Sequence, residues 1–97
     1  MAQKVVWTSQ ATDDLHTVYE FLSAFSDARA EAVTEEIIRQ VFLLEQFPRM
    51  GRVVPELNIE AIRELIVQQY RIVYSLTTRG QTEVLTIRHT SRPLSKI

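Results

Sequence analysis

Seven side chains in the second half of this chain are of the kinds that neutralise phosphates or carboxylates. Arg63 sits in Ile62-Arg63-Glu64-Leu65, Arg71 in Tyr70-Arg71-Ile72-Val73-Tyr74, and Arg88 and His89 in Ile87-Arg88-His89. Arg92 follows just beyond, and Arg49 and Arg52 flank Gly51. A guanidinium presents a planar fork of donors that fits a phosphate or a carboxylate, so such residues on adjoining strands suit an anionic ligand or an acidic partner. The bland alternatives are concrete. A two-residue turn at Gln68-Gln69 would pair Ile66 with Arg71 and Glu64 with Val73. Glu64 would then lie diagonal to Arg71 on one face, within reach of an ion pair. Arg63 would share the other face with Tyr70, Ile72 and Tyr74. A turn one residue longer would bring Arg63 and Arg71 together as a basic patch, and spacing alone leaves both registers open. Arg49 and Arg52 read as a basic rim or a plain surface turn, and His89 with Arg92 as a recognition tip or a solvated strand end.

The elements that must carry these residues read in order along the chain. Val5-Val6-Trp7 is a short strand. Thr8 or Ser9 can cap the helix that follows, with Asp13 and Asp14 in its first turns, where the helix dipole favours acids. Ala11, Leu15, Val18, Tyr19 and Leu22 make one apolar helical face. Ser26-Asp27 caps a second helix with Ala30, Val33, Ile37, Val41 and Leu44 on one face, widened by Ile38 and Phe42; Pro48 ends it. The short connection predicts an antiparallel helical hairpin. Residues 47–52 read as a turn, and residues 53–58 have no assignable pattern. Residues 59–67, 70–77 and 83–89 read as strands, with turns at 68–69 and 78–81, and Pro93 stops the last one. The expected fold is α+β, in the order β-α-α-β-β-β. The last three strands form an antiparallel meander, with the hairpin packed on one face and the other face open.

The chain has 97 residues, which fits one domain over residues 1–97 and not two. Its composition is 45% apolar and 24% charged, which argues against disorder. Cysteine is absent, so thiol catalysis and cysteine-based zinc sites are excluded and a reducing cytoplasm is favoured. No run is long enough to cross a membrane, and no signal peptide is evident. His16 and His89 fall on separate elements, and the two glycines, Gly51 and Gly80, make no phosphate loop, so no metal or cofactor is expected. The net charge of −1 hides a split. Residues 1–48 carry three Lys/Arg and eight Asp/Glu, whereas residues 49–97 carry eight and four. Such asymmetry points to an interaction surface. Tyr19, Phe21, Phe25 and Phe42 suit a core or a partner contact better than a cofactor site.

Taken in order, these segments resemble the RelE/ParE superfamily of bacterial toxins from type II toxin–antitoxin modules. The likeness rests on the opening Val-Trp strand, Asp13-Asp14-Leu15, the Phe47-Pro48 helix end, Gly51-Arg52, Arg63-Glu64-Leu65, Tyr70 to Tyr74, and His89 with Arg92. RelE-like members are ribosome-dependent mRNA endoribonucleases. They need a base for the 2′-hydroxyl, cations for the phosphorane charge and an acid for the leaving oxygen. On that pattern Arg63, Arg71, His89 and Arg92 are the candidate catalytic residues. Leu65, however, stands at the second basic position, and no tyrosine follows Tyr74. His89 is the substitute, because imidazole titrates near neutral pH. ParE-like members act without a nuclease site, by binding DNA gyrase, and the Arg-Glu-Leu and Tyr-Arg-Ile-Val-Tyr wording resembles them more. The resemblance implies a cytoplasmic gyrase-directed toxin neutralised by a cognate antitoxin. The partner-contacting residues are then Arg49, Arg52, Arg63, Arg71, Arg88, His89 and Arg92. The alternatives are the ribosome and its mRNA as target, or a degenerate, non-toxic member.

Overall fold

The computed structural model describes residues 4–77, 79–92 and 94. Strand β1 (Lys4–Trp7) leads into helices α1 (Ser9–Ser23) and α2 (Asp27–Leu43). Strands β2 (Arg52–Val53), β3 (Ile62–Val67), β4 (Tyr70–Leu76) and β5 (Gln81–His89) follow. Thr78 and Pro93, expected in the last turn and at the end of the last strand, lie outside the described residues.

Both helix starts are set by hydroxyl caps. Thr8 Oγ1 accepts from the Ala11 N–H at 3.0 Å and donates to the Leu85 carbonyl at 2.8 Å, so one residue caps α1 and ties it to β5. Ser26 caps α2 through the Arg29 N–H. The helix ends at Leu43, well short of Pro48, and the Phe47 N–H still bonds back to the Leu43 carbonyl. Ala11, Val18 and Leu22 of α1 and Val33, Ile37 and Val41 of α2 are buried as their spacing requires. Tyr19, Ile38 and Phe42 are not. They stand exposed on the outer side of the hairpin, beyond the stripe that the sheet can cover.

The sheet has five strands in the order β1-β5-β4-β3-β2. β1 runs parallel to β5 and every other pair is antiparallel, so the sheet is mixed where a plain antiparallel one was expected. The expected meander is its centre. One face packs on the helices through Leu65, Val67, Tyr70, Ile72, Tyr74, Val84 and Ile87. The second face is not bare. Val54 and Leu94 close on Val73, with Leu57, Ile62 and Leu85 packed around them. The connector that had no sequence pattern thus becomes β2 and a turn that folds over this second face.

A β-bulge interrupts the central pair. Val73 faces Thr86 and Tyr74 faces Val84, which leaves Leu85 as the extra residue. Asp14 of α1 binds the bulged strand. Its Oδ2 accepts from Thr86 Oγ1 at 2.6 Å and from the Ile87 N–H at 3.0 Å, while Oδ1 accepts from Gln10 Nε2 at 2.7 Å. Asp14 therefore couples helix to strand, and it lies past the first turn, where a dipole role would have placed it.

Candidate functional site

The register of β3 and β4 decides where the arginines go. Val67 pairs with Tyr70 across Gln68-Gln69, so the turn has two residues. It lacks glycine, and Gln68 takes the positive φ of 55° that such a turn demands. Ile66 then faces Arg71, Glu64 faces Val73 and Arg63 faces Tyr74. Arg63 and Arg71 therefore point to opposite faces, and the two do not form one basic patch.

On the second face Arg71 is held by two carboxylates. Its Nε donates to Glu64 Oε1 at 2.6 Å, and Nη1 and Nη2 donate to Glu56 Oε2 and Oε1 at 2.6 and 2.7 Å. Glu64 receives Arg52 Nε on its other oxygen at 2.7 Å. The Arg71 side chain is 7% exposed and that of Glu64 0%. Two cations and two anions thus balance in a small volume, as burial of charge demands. The forked bonds from Arg71 hold the Glu56 carboxyl well below its usual range, at about 2, and keep the Arg71 guanidinium firmly protonated. Glu56 also accepts from the Leu94 N–H, so the cluster fixes the 55–57 turn and the Leu94 backbone over the sheet.

On the helical face Arg63 lies at the end of the core. Its Nη1 donates to the Gly51 carbonyl at 2.9 Å and its Nη2 to Glu60, which also receives Arg49. Bonds from Arg49, and next from Arg63, lower the Glu60 carboxyl. Tyr74 completes the knot. Its hydroxyl donates to the Pro48 carbonyl at 2.8 Å and accepts from the Gly51 N–H at 3.0 Å, and burial raises its pKa. Residue 51 must be glycine here, because a Cβ would sit 2.5 Å from the Glu64 carbonyl and 2.7 Å from the tyrosine hydroxyl.

Arg49, Arg52, Arg63 and Arg71 are thus engaged inside the molecule, whereas Arg88 and Arg92 form no ion pair among the described residues. With His89 they line a cavity of about 550 Å³ between α1 and the end of β5, bounded also by Phe21, Tyr70 and Asp14. Tyr70 meets the His89 ring edge-on at 5.6 Å. His89 Nδ1 lies 3.2 Å from the Ser91 backbone nitrogen and 2.9 Å from its Oγ, and Nε2 lies 3.3 Å from Gln69 Oε1. Both ring nitrogens are therefore engaged. Among the described residues no cluster of His, Cys, Asp or Glu is arranged to hold a metal ion.

Glu56, Glu60 and Asp14 escaped attention in the sequence as site residues, whereas Phe21 was expected in the core or at a partner contact. Glu56 lies within the connector that had no periodicity and Glu60 just beyond it, 15 residues from Arg71 and three from Arg63 respectively. Only the three-residue spacing carries any signal, and it is one that helices and turns share.

The comparisons agree with this architecture. Residues 5–94 match the family model for the ParE toxin of type II toxin–antitoxin systems, parDE. Toxin RelE2 of Caulobacter vibrioides is 29% identical over 92 residues, which covers 95% of this chain and 99% of the relative. The chromosomal ParDE toxin–antitoxin system of P. aeruginosa superposes with a TM-score of 0.75 at 20% identity, over 91% of this chain and 96% of that one. The toxin–antitoxin complex RelBE2 of Mycobacterium tuberculosis does so with a TM-score of 0.68 at 17% identity, over 92% and 99%. An arginine-bearing meander under a capped helical hairpin, matched over almost its whole length, makes this chain a member of the ParE toxin family of type II toxin–antitoxin systems.

Proposed function

We propose that this chain, acting as a single toxin domain over residues 1–97 in the cytoplasm, inhibits DNA gyrase by binding it and is neutralised by a cognate antitoxin. The observation that carries this reading is the state of Arg71. A ribonuclease of the related branch needs that guanidinium for the charge that develops on phosphorus. Here it is already forked onto Glu56 and bonded to Glu64. Arg63 points to the other face, and both His89 ring nitrogens have partners, which leaves no convergent acid, base and cation among the described residues. What stays available is surface. Exposed apolar side chains on the hairpin and the turn after it, Phe25, Phe42 and Phe47 among them, suit a protein partner. An antitoxin tail that buries them while offering acids to the basic half would satisfy both features.

The test is a supercoiling assay with purified gyrase, run beside a translating extract whose message ends are mapped. Blocked supercoiling with accumulation of cleaved DNA, and intact message, is the expected result. Unimpaired supercoiling at large toxin excess contradicts the gyrase target. Codon-periodic cuts abolished in Arg71→Ala would instead restore the nuclease.

A further inference from the structure

The segment that covers the second face is seated differently from the rest of the fold. Its apolar seat is small. Val54, Val73 and Leu94, with Leu57, Ile62 and Leu85 around them, form a cluster separate from the core under the helices. Its backbone bonds are largely its own. The Leu57 and Asn58 N–H groups return to the Val54 carbonyl at 3.2 and 2.9 Å, and the Val54 N–H ties the segment to the sheet at the Ile62 carbonyl, 3.1 Å away. Asn58 closes the turn with a φ of 52°, a conformation that asparagine tolerates. Both ends are anchored. Gly51 is held by Tyr74 on one side, and Glu60 by Arg63 on the other. Residues 54–58 are therefore a flap between two fixed points. Glu56 Oε2 accepts from Arg71 Nη1 and, at 3.2 Å, from the Leu94 N–H, so one carboxylate joins flap, guanidinium and Leu94. It borders a cleft of about 290 Å³ shared with Arg52, Pro55, Ile66, Arg71 and Thr90, and its side chain is 31% exposed, so water already reaches it.

We propose that residues 54–58 and Leu94 are a latch that opens as one unit while the main core stays folded, with Glu56 as the bolt that masks the Arg71 fork. A unit that rests on few buried side chains opens locally, at a free energy below that of global unfolding. Opening also strands no buried charge. Arg71 Nε keeps Glu64, Glu64 keeps Arg52, and water replaces Glu56 on Nη1 and Nη2. The two positions differ in charge. Arg88 stands across from Arg71 in the β4–β5 register, on the same face. Closed, Arg52, Arg71 and Arg88 share that face with Glu56 and Glu64; open, they share it with Glu64 alone. The fork of Arg71 and one extra positive charge are thus released together. Opening does not assemble a nuclease, because Arg63 belongs to the other face in both positions. The latch holds whichever target the chain acts on, so it stands or falls apart from the gyrase reading.

The test is amide hydrogen exchange of the purified chain, followed by NMR in urea below the unfolding transition. The Val54, Asn58 and Leu94 amides should share one opening, at least about tenfold more frequent than the opening that exposes Ile72. That shared opening should depend less on urea, because it bares less surface. Two variants separate latch from core. Leu94→Ala should quicken exchange at Val54 and Asn58 by at least about tenfold, although both lie far from it along the chain. Ile37→Val, in the core on α2, should quicken Ile72 and leave the Val54, Asn58 and Leu94 amides unchanged, because the core is intact in both latch positions. Glu56→Gln should speed phenylglyoxal labelling of Arg71 about tenfold, with Arg63 as slow as in the parent. Should a variant fold poorly, the exchange pattern of the parent decides alone. Exchange of Val54 and Asn58 in step with Ile72 would overturn the proposal. So would Leu94→Ala leaving Asn58 unchanged, Ile37→Val quickening the latch amides, or unaltered Arg71 labelling in Glu56→Gln.

Discussion

Arg71→Ala should damage stability, and by a large amount. The substitution removes three hydrogen bonds to carboxylates and strands Glu64, whose side chain is 0% exposed, with Arg52 as its remaining cation. Breaking a buried ion pair from one side costs roughly 3–5 kcal/mol. Two features place the value at the low end. Arg52 still reaches Glu64, and the Glu56 arm is 31% exposed, so water takes over part of its role. A loss of roughly 3 kcal/mol lowers Tm by about 12–24 °C in a domain of this length, at ~4–8 °C per kcal/mol. Arg71→Lys keeps the charge but loses the fork onto Glu56, and should fall between the parent and the alanine variant. Thermal melts followed by far-UV circular dichroism measure this directly, with toxicity scored well below each variant's midpoint. Folded Arg71→Ala protein should retain its inhibitory effect. A Tm within about 3 °C of the parent would refute the structural role, as would a fully folded variant that had lost all activity.

Gly51→Ala should destabilise by roughly 1–3 kcal/mol in the same melts, because the new methyl meets backbone at Glu64 and cannot be accommodated by a side-chain shift alone. Asp14→Ala should cost about 1–3 kcal/mol by leaving the Thr86 hydroxyl and the Ile87 N–H without their acceptor, and amide exchange at Ile87 should quicken. Acid should weaken the fold through Glu56. Its folded pKa of about 2 lies below the ordinary value of 4.5, so its contribution is complete above that value and is lost as pH falls from about 4.5 towards 2. Glu56→Gln should therefore flatten the acid limb of a stability–pH profile in that window; an unchanged limb would contradict the assignment.

Local chemistry made much of this fold legible. Thr8 and Ser26 announced the helix starts and the Val33-Ile37-Val41 stripe announced the buried face of α2, whereas the β3–β4 register was one of two that spacing left open; the chain adopts the two-residue turn at Gln68-Gln69 with its Glu64–Arg71 pair. What was hidden depends on tertiary placement. Arg52–Val53 is too short for a strand period, and Lys4–Trp7 carries no mark of its parallel partner. Glu56 reaches Arg71 only because the connector folds over the second face, and a bulge at Leu85 cannot be read from alternation alone. Tyr19, Ile38 and Phe42 matched helical periodicity but fell outside the stripe that the sheet covers. The charge split was visible from the start. Which cations were already neutralised was not, because that depends on which glutamates fold back onto them.

The most direct test of the division between engaged and available arginines is chemical. Phenylglyoxal modification of the native chain, mapped by peptide mass spectrometry over time, should label Arg92 and Arg88 early. Arg71 and Arg63, whose side chains are 7% and 12% exposed, should stay protected until denaturant is added. Labelling of Arg71 in the native protein as fast as Arg92 would contradict the account.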